Sequence, residues 1–437
     1  MDGWVERVTT FTGRPAELAA SLKSDVSSGL FQLQAAALPG VLATLDPAAH
    51  SLAWLFAANA LTSLASTGTN TAPDYRLVGK FLKVCSAEEV RAATDVFVSL
   101  ARKLKQWAIG GGRPKLAVGP LRAALRKLQP STECLTPLHG DFFQVCLLSH
   151  CYYAAAPVLK EEIYDVAPDL CGTAPRDFLL YAYYGGMLCI GRKDYDRALD
   201  LLLYAITAPA TVVSAIAVAA YQKYVLVQLI HNGHSPPLPK YTSTIIHRYL
   251  KSECVIYADV AHAFSRKSAP ELSLAINSNR TAFQADGNWG LVRQCEEALQ
   301  RRNVGRLTHT HLTLSLQGIA DTAGLPGPGA AEALILAMVG SGEIWASINP
   351  VDGMVSFNED PERYCSADMA EHIDAQIRRS MALDARLQAT NEAVSCDRAY
   401  LSKTLAKEAR PESGRLGEEE HMDVADSDRN PVAPMYS

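Results

Sequence analysis

Residues 177–210, DFLLYAYYGGMLCIGRKDYDRALDLLLYAITAPA, decide the fold. Two apolar segments of helical length flank the polar break GRKD, and the apolar positions recur at three and four within each. In the second segment Ala198, Leu202 and Ala205 have the small–large–small spacing of the second helix of a tetratricopeptide-like repeat. Tyr184 and Gly185 supply the close crossing in the first, and Pro209 ends the unit. An antiparallel helix pair of this kind cannot bury its apolar face by itself, so it needs neighbours stacked on both sides. No strict period recurs elsewhere, which predicts an irregular helical solenoid.

Working outward, the first two thirds read as helix throughout. Gly- and Pro-rich breaks fall at 110–120, 129–137, 167–175 and 232–239. The longest apolar runs, LAWLFAANALTSLA and VVSAIAVAAYQKYVLVQLI, are interrupted by Asn59 and Thr62 and by Gln222 and Lys223, so they predict buried helices and no membrane span. The start, MDGWVERVTT, has no apolar signal-peptide core. Of 437 residues, 48% are apolar and 20% charged, enough for a sizeable core. The 41 basic and 46 acidic side chains give a net charge of −5, against a nucleic-acid binder by bulk charge. Ten scattered cysteines without a C-x-x-C pair predict small core residues in a reducing compartment.

The pattern changes after about residue 290. LVRQCEEALQRR (291–302) is an amphipathic helix, LTLSLQGIADTAGL a helix ending near Gly324, and GPGAAEALILAMVGSG a second, stopped by Gly340 and Gly342. EIWASINPVDGMVSFNED then predicts two strands around Asp352-Gly353, a hairpin dipeptide. Helix, helix, hairpin is the winged-helix arrangement. One long helix is predicted from about Ser366 to Lys407, its seam formed by Ile373, Ile377, Met381, Leu387, Val394, Leu401 and Leu405 and broken by Asp384, Asn391 and Arg398. The segment 411–437 holds two basic and seven acidic residues and few large apolar ones, the composition of a disordered tail.

Candidate chemistry is sparse. The pair His309 and His311 invites a zinc reading, since an H-x-H pair helps ligate zinc in deubiquitinase-type metalloproteases. That signature continues with Pro and then Ser and Asp, whereas Leu312 follows here, Ile319 holds the Ser position, and Asp321 falls one residue short. His231 and His234 flank a loop. Gly110-Gly111-Gly112-Arg113-Pro114-Lys115 lacks the spacing of a phosphate loop. Nothing fixes Glu161 and Glu162 across a cleft from other carboxylates. The helix placed to read a DNA groove, AAEALILAMVG, has no Lys or Arg and one acid, Glu332, while Arg301, Arg302 and Arg306 cluster on the preceding segment. Protein contact is therefore favoured over nucleic-acid contact, with a winged-helix nucleic-acid binder as the alternative.

Solenoid, winged helix and long helix together resemble the PCI-domain family, whose module is shared by the proteasome lid, the signalosome and a translation initiation factor. The stretch at 177–210, YQKYVLVQLIHNGHSPPLPKYTS (221–243), NWGLVRQCEEALQRRNVGRLTHTHLTLSLQ (288–317) and GEIWASINPVDGMVSFNEDPERY (342–364) resemble more closely the third-subunit family of the COP9 signalosome. DPAAHSLAWLFA and LTPLHGDFFQVCLLSHCY extend the likeness weakly towards the N-terminus. The resemblance implies a mostly α fold: N-terminal repeats over 1–190, a PCI domain over 191–360 (helical part 191–290, winged helix 291–360), a bundle helix over 361–410 and an acidic tail over 411–437. It implies a non-catalytic scaffold, without cofactor or metal, in a complex that removes Nedd8 from cullin-RING ubiquitin ligases. Other signalosome subunits would be its partners, the first and eighth nearest, with the cullin ligases met indirectly, no membrane, and residence in nucleus and cytoplasm. The expected contact residues are Ile344, Ala346, Ile348, Met354 and Ser356 of the wing and the seven seam residues of the last helix.

Overall fold

The computed structural model describes residues 2–66, 75–210, 212–359 and 366–408. The chain forms two compact units, 1–358 and 359–437. The acidic tail lies outside the described residues.

The first unit opens with α1 (Asp2–Thr9), α2 (Pro15–Ser27), α3 (Leu30–Leu33), α4 (Leu38–Thr44), α5 (Ser51–Ser66), α6 (Tyr75–Val84) and α7 (Ala87–Arg91). Longer helices follow: α8 (Thr94–Gly110), α9 (Lys115–Leu128), α10 (Leu138–Leu148), α11 (Tyr152–Leu159), α12 (Pro168–Cys171), α13 (Pro175–Arg192), α14 (Tyr195–Thr207) and α15 (Ala215–His231). Then come α16 (Thr244–Glu253), α17 (Val255–Ser265), α18 (Ala269–Ser278), α19 (Arg280–Ala285) and α20 (Trp289–Thr308). Most of the punctuation is that expected of helix ends, but the break expected over 110–120 is shorter, because α9 starts at Lys115 and carries Gly119 and Pro120 inside it. Pro15, Pro168 and Pro175 sit in first turns, where a missing N–H costs nothing. The Gly-rich stretch after α8 is a helix stop, with Gly112 N–H donating to Ile109 O at 3.0 Å and Arg113 N–H to Ala108 O at 2.9 Å.

α10, α13, α14 and α15 pack in sequence as a stack. The crossing of α13 on α14 is close because Gly185 and Gly186 face it. A Cβ on Gly186 would lie 2.9 Å from Leu202 Cγ and Cδ2, inside van der Waals contact. Ala198, Leu202 and Ala205 are buried there, as the repeat spacing requires.

One continuous apolar core runs through the stack from Trp4 to Leu299, and a second, smaller one from Val304 to Phe357. α20 belongs to both: Val292, Cys295 and Leu299 face the first, Val304 and Leu307 the second. Its start is fixed by a polar cluster in which Lys223, Asn288 and Tyr257 are buried and Asp286 is exposed. Lys223 of α15 donates to Asn288 Oδ1 at 2.6 Å, Asn288 Nδ2 to Tyr257 OH at 2.8 Å, and Tyr257 OH to Asp286 Oδ2 at 2.7 Å. Burial pushes the Lys223 ammonium below its ordinary range, and Asp286 pulls it partly back.

Beyond α20 lie β1 (Thr313–Ser315), α21 (Leu316–Ala323), α22 (Pro328–Gly340), β2 (Ala346–Asn349) and β3 (Met354–Phe357). This is the winged helix, with one addition to the two expected strands. Residues 313–315, expected as helix, pair with β3, and Ser315 then caps α21 by accepting from Gly318 N–H at 3.1 Å. The sheet order is β1-β3-β2, antiparallel throughout. Gly353, at φ +61°, makes the expected hairpin turn.

The second unit holds α23 (Ala367–Cys396) and α24 (Arg398–Glu408). The single long helix expected over 366–407 is thus interrupted at Asp397. That residue is extended and accepts from Leu401 N–H through its carbonyl at 2.9 Å, so it starts the second helix. Aspartate favours such an N-terminal boundary over a helix interior.

Among the described residues no single helix is long and apolar enough to cross a membrane. The described cysteines are free thiols; seven are buried, Cys151 is half-buried and Cys396 exposed. Cys365 lies outside the described residues.

Candidate assembly surfaces

No group of three or more His, Cys, Asp or Glu side chains among the described residues is arranged to hold a metal ion. His309 and His311 are exposed in the turn after α20, not on a strand. His231 Nε2 donates to Asp196 Oδ1 at 2.8 Å, and His234 Nδ1 donates to the Asn232 carbonyl at 3.2 Å. Glu161 is paired with Arg126. The paired side chains among these tie neighbouring segments of the stack together.

The wing offers a backbone edge. Asn358 N–H donates to Trp345 O at 2.8 Å, and this sets the alternation of the β2–β3 ladder. Ser347 and Ser356 face each other in hydrogen-bonding register. Ala346 and Ile348, in the other register, turn their N–H and C=O groups away from β3, toward the open edge. β3 is central and paired on both sides, so Met354 and Ser356 can contribute side chains but no free backbone. Met354 is partly exposed and Ser356 half-buried. Ile344 is buried in the winged-helix core, supporting the entry to β2.

The outward face of α22 carries Leu336 and Val339, exposed beside Glu332, Ala333 and Ala337, while Ala331, Ile335 and Met338 face the core. Such a face has no donor for a phosphate or a base edge. Sequence reading passed over Leu336 and Val339 because they sit in an all-apolar run, where periodicity does not separate inside from outside.

In the second unit no described residue of α23 is buried. Ile373, Ile377, Met381, Leu387 and Val394 stay 45–68% exposed, and at 3.6 residues per turn they fall within a stripe of roughly 140°. Leu383, also exposed, borders that stripe and was missed because it falls outside the strict three-four spacing. Leu401 and Leu405 lie on α24, beyond the break, and are exposed as well.

The molecule is therefore a helical-repeat chain ending in a winged helix and exposed amphipathic helices, the architecture of a PCI-type scaffold. Comparison with known proteins makes this specific. Residues 15–246 match the family model described as COP9 signalosome complex subunit 3, N-terminal helical repeats, and residues 276–359 match the PCI domain. The chain is 39% identical over 419 residues to COP9 signalosome complex subunit 3 of Arabidopsis thaliana, covering 94% of this chain and 96% of the relative. It is 34% identical over 372 residues to the protein of the same name from Dictyostelium discoideum, covering 85% and 88%. The chain belongs to the COP9 signalosome complex subunit 3 family, and with it to the non-catalytic, scaffold-type subunits.

Proposed function

We propose that this chain is a scaffold subunit of a COP9 signalosome and supports removal of Nedd8 from cullin-RING ubiquitin ligases by protein contacts alone. The observation that carries this reading is the match to a subunit 3 relative along 94% of the chain. Association is with other signalosome subunits, the first and eighth as nearest neighbours, and with cullin-RING ligases through them. The residence is nuclear and cytoplasmic, on the same resemblance.

The division of labour proposed is N-terminal repeats over 1–190, a PCI domain over 191–360 with its winged helix from 291, and a bundle helix over 361–410. Two surfaces carry the contacts. Ala346 and Ile348 add a neighbouring strand at the β2 edge, Ile344 supports that strand from the core, and Met354 and Ser356 present side chains beside it. Ile373, Ile377, Met381, Leu387, Val394, Leu401 and Leu405 enter a helical bundle with other subunits. Support for the second lies in the exposure of the stripe: each large side chain buried there contributes about 1.5–3 kcal/mol that the chain alone forgoes.

Purification of the tagged chain from its native cell tests the reading. The expected result is co-elution of the remaining signalosome subunits. Recovery of the chain without any of them would refute it.

A further inference from the structure

The three arginines close together on α20 have different fates. Arg301 Nη1 donates to Glu343 Oε1 at 2.6 Å. Arg302 donates to the carbonyls of Ile230 (3.3 Å) and His231, closing the C-terminal end of α15. Burial lowers its pKa from the ordinary arginine value. Arg306 makes no ion pair and no side-chain hydrogen bond among the described residues. It lines a cavity of about 280 Å³ together with Lys267, Asn303, Leu307, Thr310 and Thr322.

Three parts of the fold meet at this cavity. Lys267 stands in the turn between α17 and α18, in the left-handed region at φ +63°. Its carbonyl accepts from the buried Asn303 Nδ2 of α20 at 3.3 Å, which ties the turn to α20. Thr310 follows α20, and Thr322 comes from α21. The Lys267 ammonium, like the Arg306 guanidinium, has no partner among the described residues, and no carboxylate lines the cavity. Thr310 and Thr322 donate to the carbonyls of Leu307 (3.3 Å) and Gly318 (2.8 Å), so the charged donors lining the cavity are the two cations.

We propose that this cavity binds a phosphate monoester, held by Arg306 and Lys267. Two cations lining one cavity match the near-double negative charge of such a group at neutral pH. Guanidinium recognises phosphate with two parallel hydrogen bonds, and an ammonium adds a point charge. The volume exceeds the needs of a bare oxyanion and leaves space for the ester substituent. The monoester comes either from a phosphorylated side chain of a partner protein or from a small phosphorylated molecule.

The experiment uses the full-length chain at low salt, titrated by calorimetry with O-phosphoserine and with a phosphoserine peptide of uncharged flanks. Both are expected to bind. Arg306→Gln should weaken binding about tenfold, and Arg306→Gln with Lys267→Gln about a hundredfold. Arg306→Lys should restore part of the loss, whereas Arg301→Gln should stay within about twofold of the parent because its partner is Glu343. Raising salt from about 50 to 150 mM should weaken binding several-fold. Both side chains are exposed, so the variants should melt with the parent. Peptide binding at least about tenfold tighter than O-phosphoserine assigns the site to a phosphoprotein; equal affinities assign it to a small molecule. Absence of binding by either probe, or binding unchanged in the double variant, overturns the proposal.

Discussion

Replacing Arg102 by Met should loosen the middle of the stack. Arg102 of α8 donates through Nε to Asp141 Oδ2 of α10 at 2.8 Å and through Nη2 to Asp177 Oδ1 of α13 at 2.7 Å. Both carboxylates are almost fully buried, at 4% and 6% exposure. Asp141 keeps Lys105, whose Nζ lies 2.6 Å away, and Asp177 keeps the Ala174 N–H at 3.1 Å. Removing one partner of a buried ion pair costs about 3–5 kcal/mol. The Arg102 side chain is 39% exposed, so water relieves part of that, and about 2–3 kcal/mol remains. Met preserves the apolar stem, which separates loss of charge from loss of packing. A chain of this length does not unfold in one step, so hydrogen exchange is the suitable assay. Amide exchange in α10 and α13 should accelerate about 30- to 150-fold, while α23 is unchanged. Arg378→Met serves as control: that pair, four residues apart on one helix with Asp374, is exposed and should contribute no more than about 0.5 kcal/mol. Acceleration below about threefold in both α10 and α13 would refute the view that this ion cluster joins three helices.

Ile377→Asp with Leu387→Asp should leave the melting temperature of the isolated chain within about 2 °C, because only a few tenths of a kcal/mol of helix propensity change at exposed positions. The same change should abolish incorporation into the complex on size-exclusion chromatography; a large drop in the chain's own melting temperature would count against the bundle. Ala346→Pro or Ile348→Pro removes an outward-facing donor on β2 and should weaken subunit association with the wing still folded, whereas Ser347→Pro should break the sheet itself. Equal association for all three would argue against strand addition. His139 is fully buried, with Nδ1 hydrogen-bonded at Thr136 and Nε2 without a partner among the described residues, and burial pushes its pKa down to about 4. Between pH 6.5 and 4 the unfolded chain holds a proton that the folded chain lacks, so stability falls as pH falls through that window. The loss should be up to about 1.4 kcal/mol per pH unit. His139→Gln should remove that part of the slope in denaturant titrations at several pH values; identical slopes would show that His139 is not its source.

Much of this was legible in the sequence because it rests on local periodicity. The α13–α14 pair followed from Ala198, Leu202 and Ala205, the helix stops from Gly and Pro, and the β2–β3 hairpin from Asp352-Gly353. Each depends on backbone preferences within a few residues. The seam of the last helix was likewise readable, because a stripe on a helix is a property of spacing. What escaped depends on groups far apart in the chain. β1 exists only because residues 313–315 meet β3 some 40 residues later, and this places β3 in the centre and makes β2 an edge. Which backbone groups of β2 point outward is set by the register with β3. The break at Asp397 was masked by an apolar pattern that continues across it. Arg301, Arg302 and Arg306 look alike as a run of charge. Glu343 and the end of α15 engage the first two and leave the third on the cavity that Lys267 also lines, a distinction that only packing between distant segments can make.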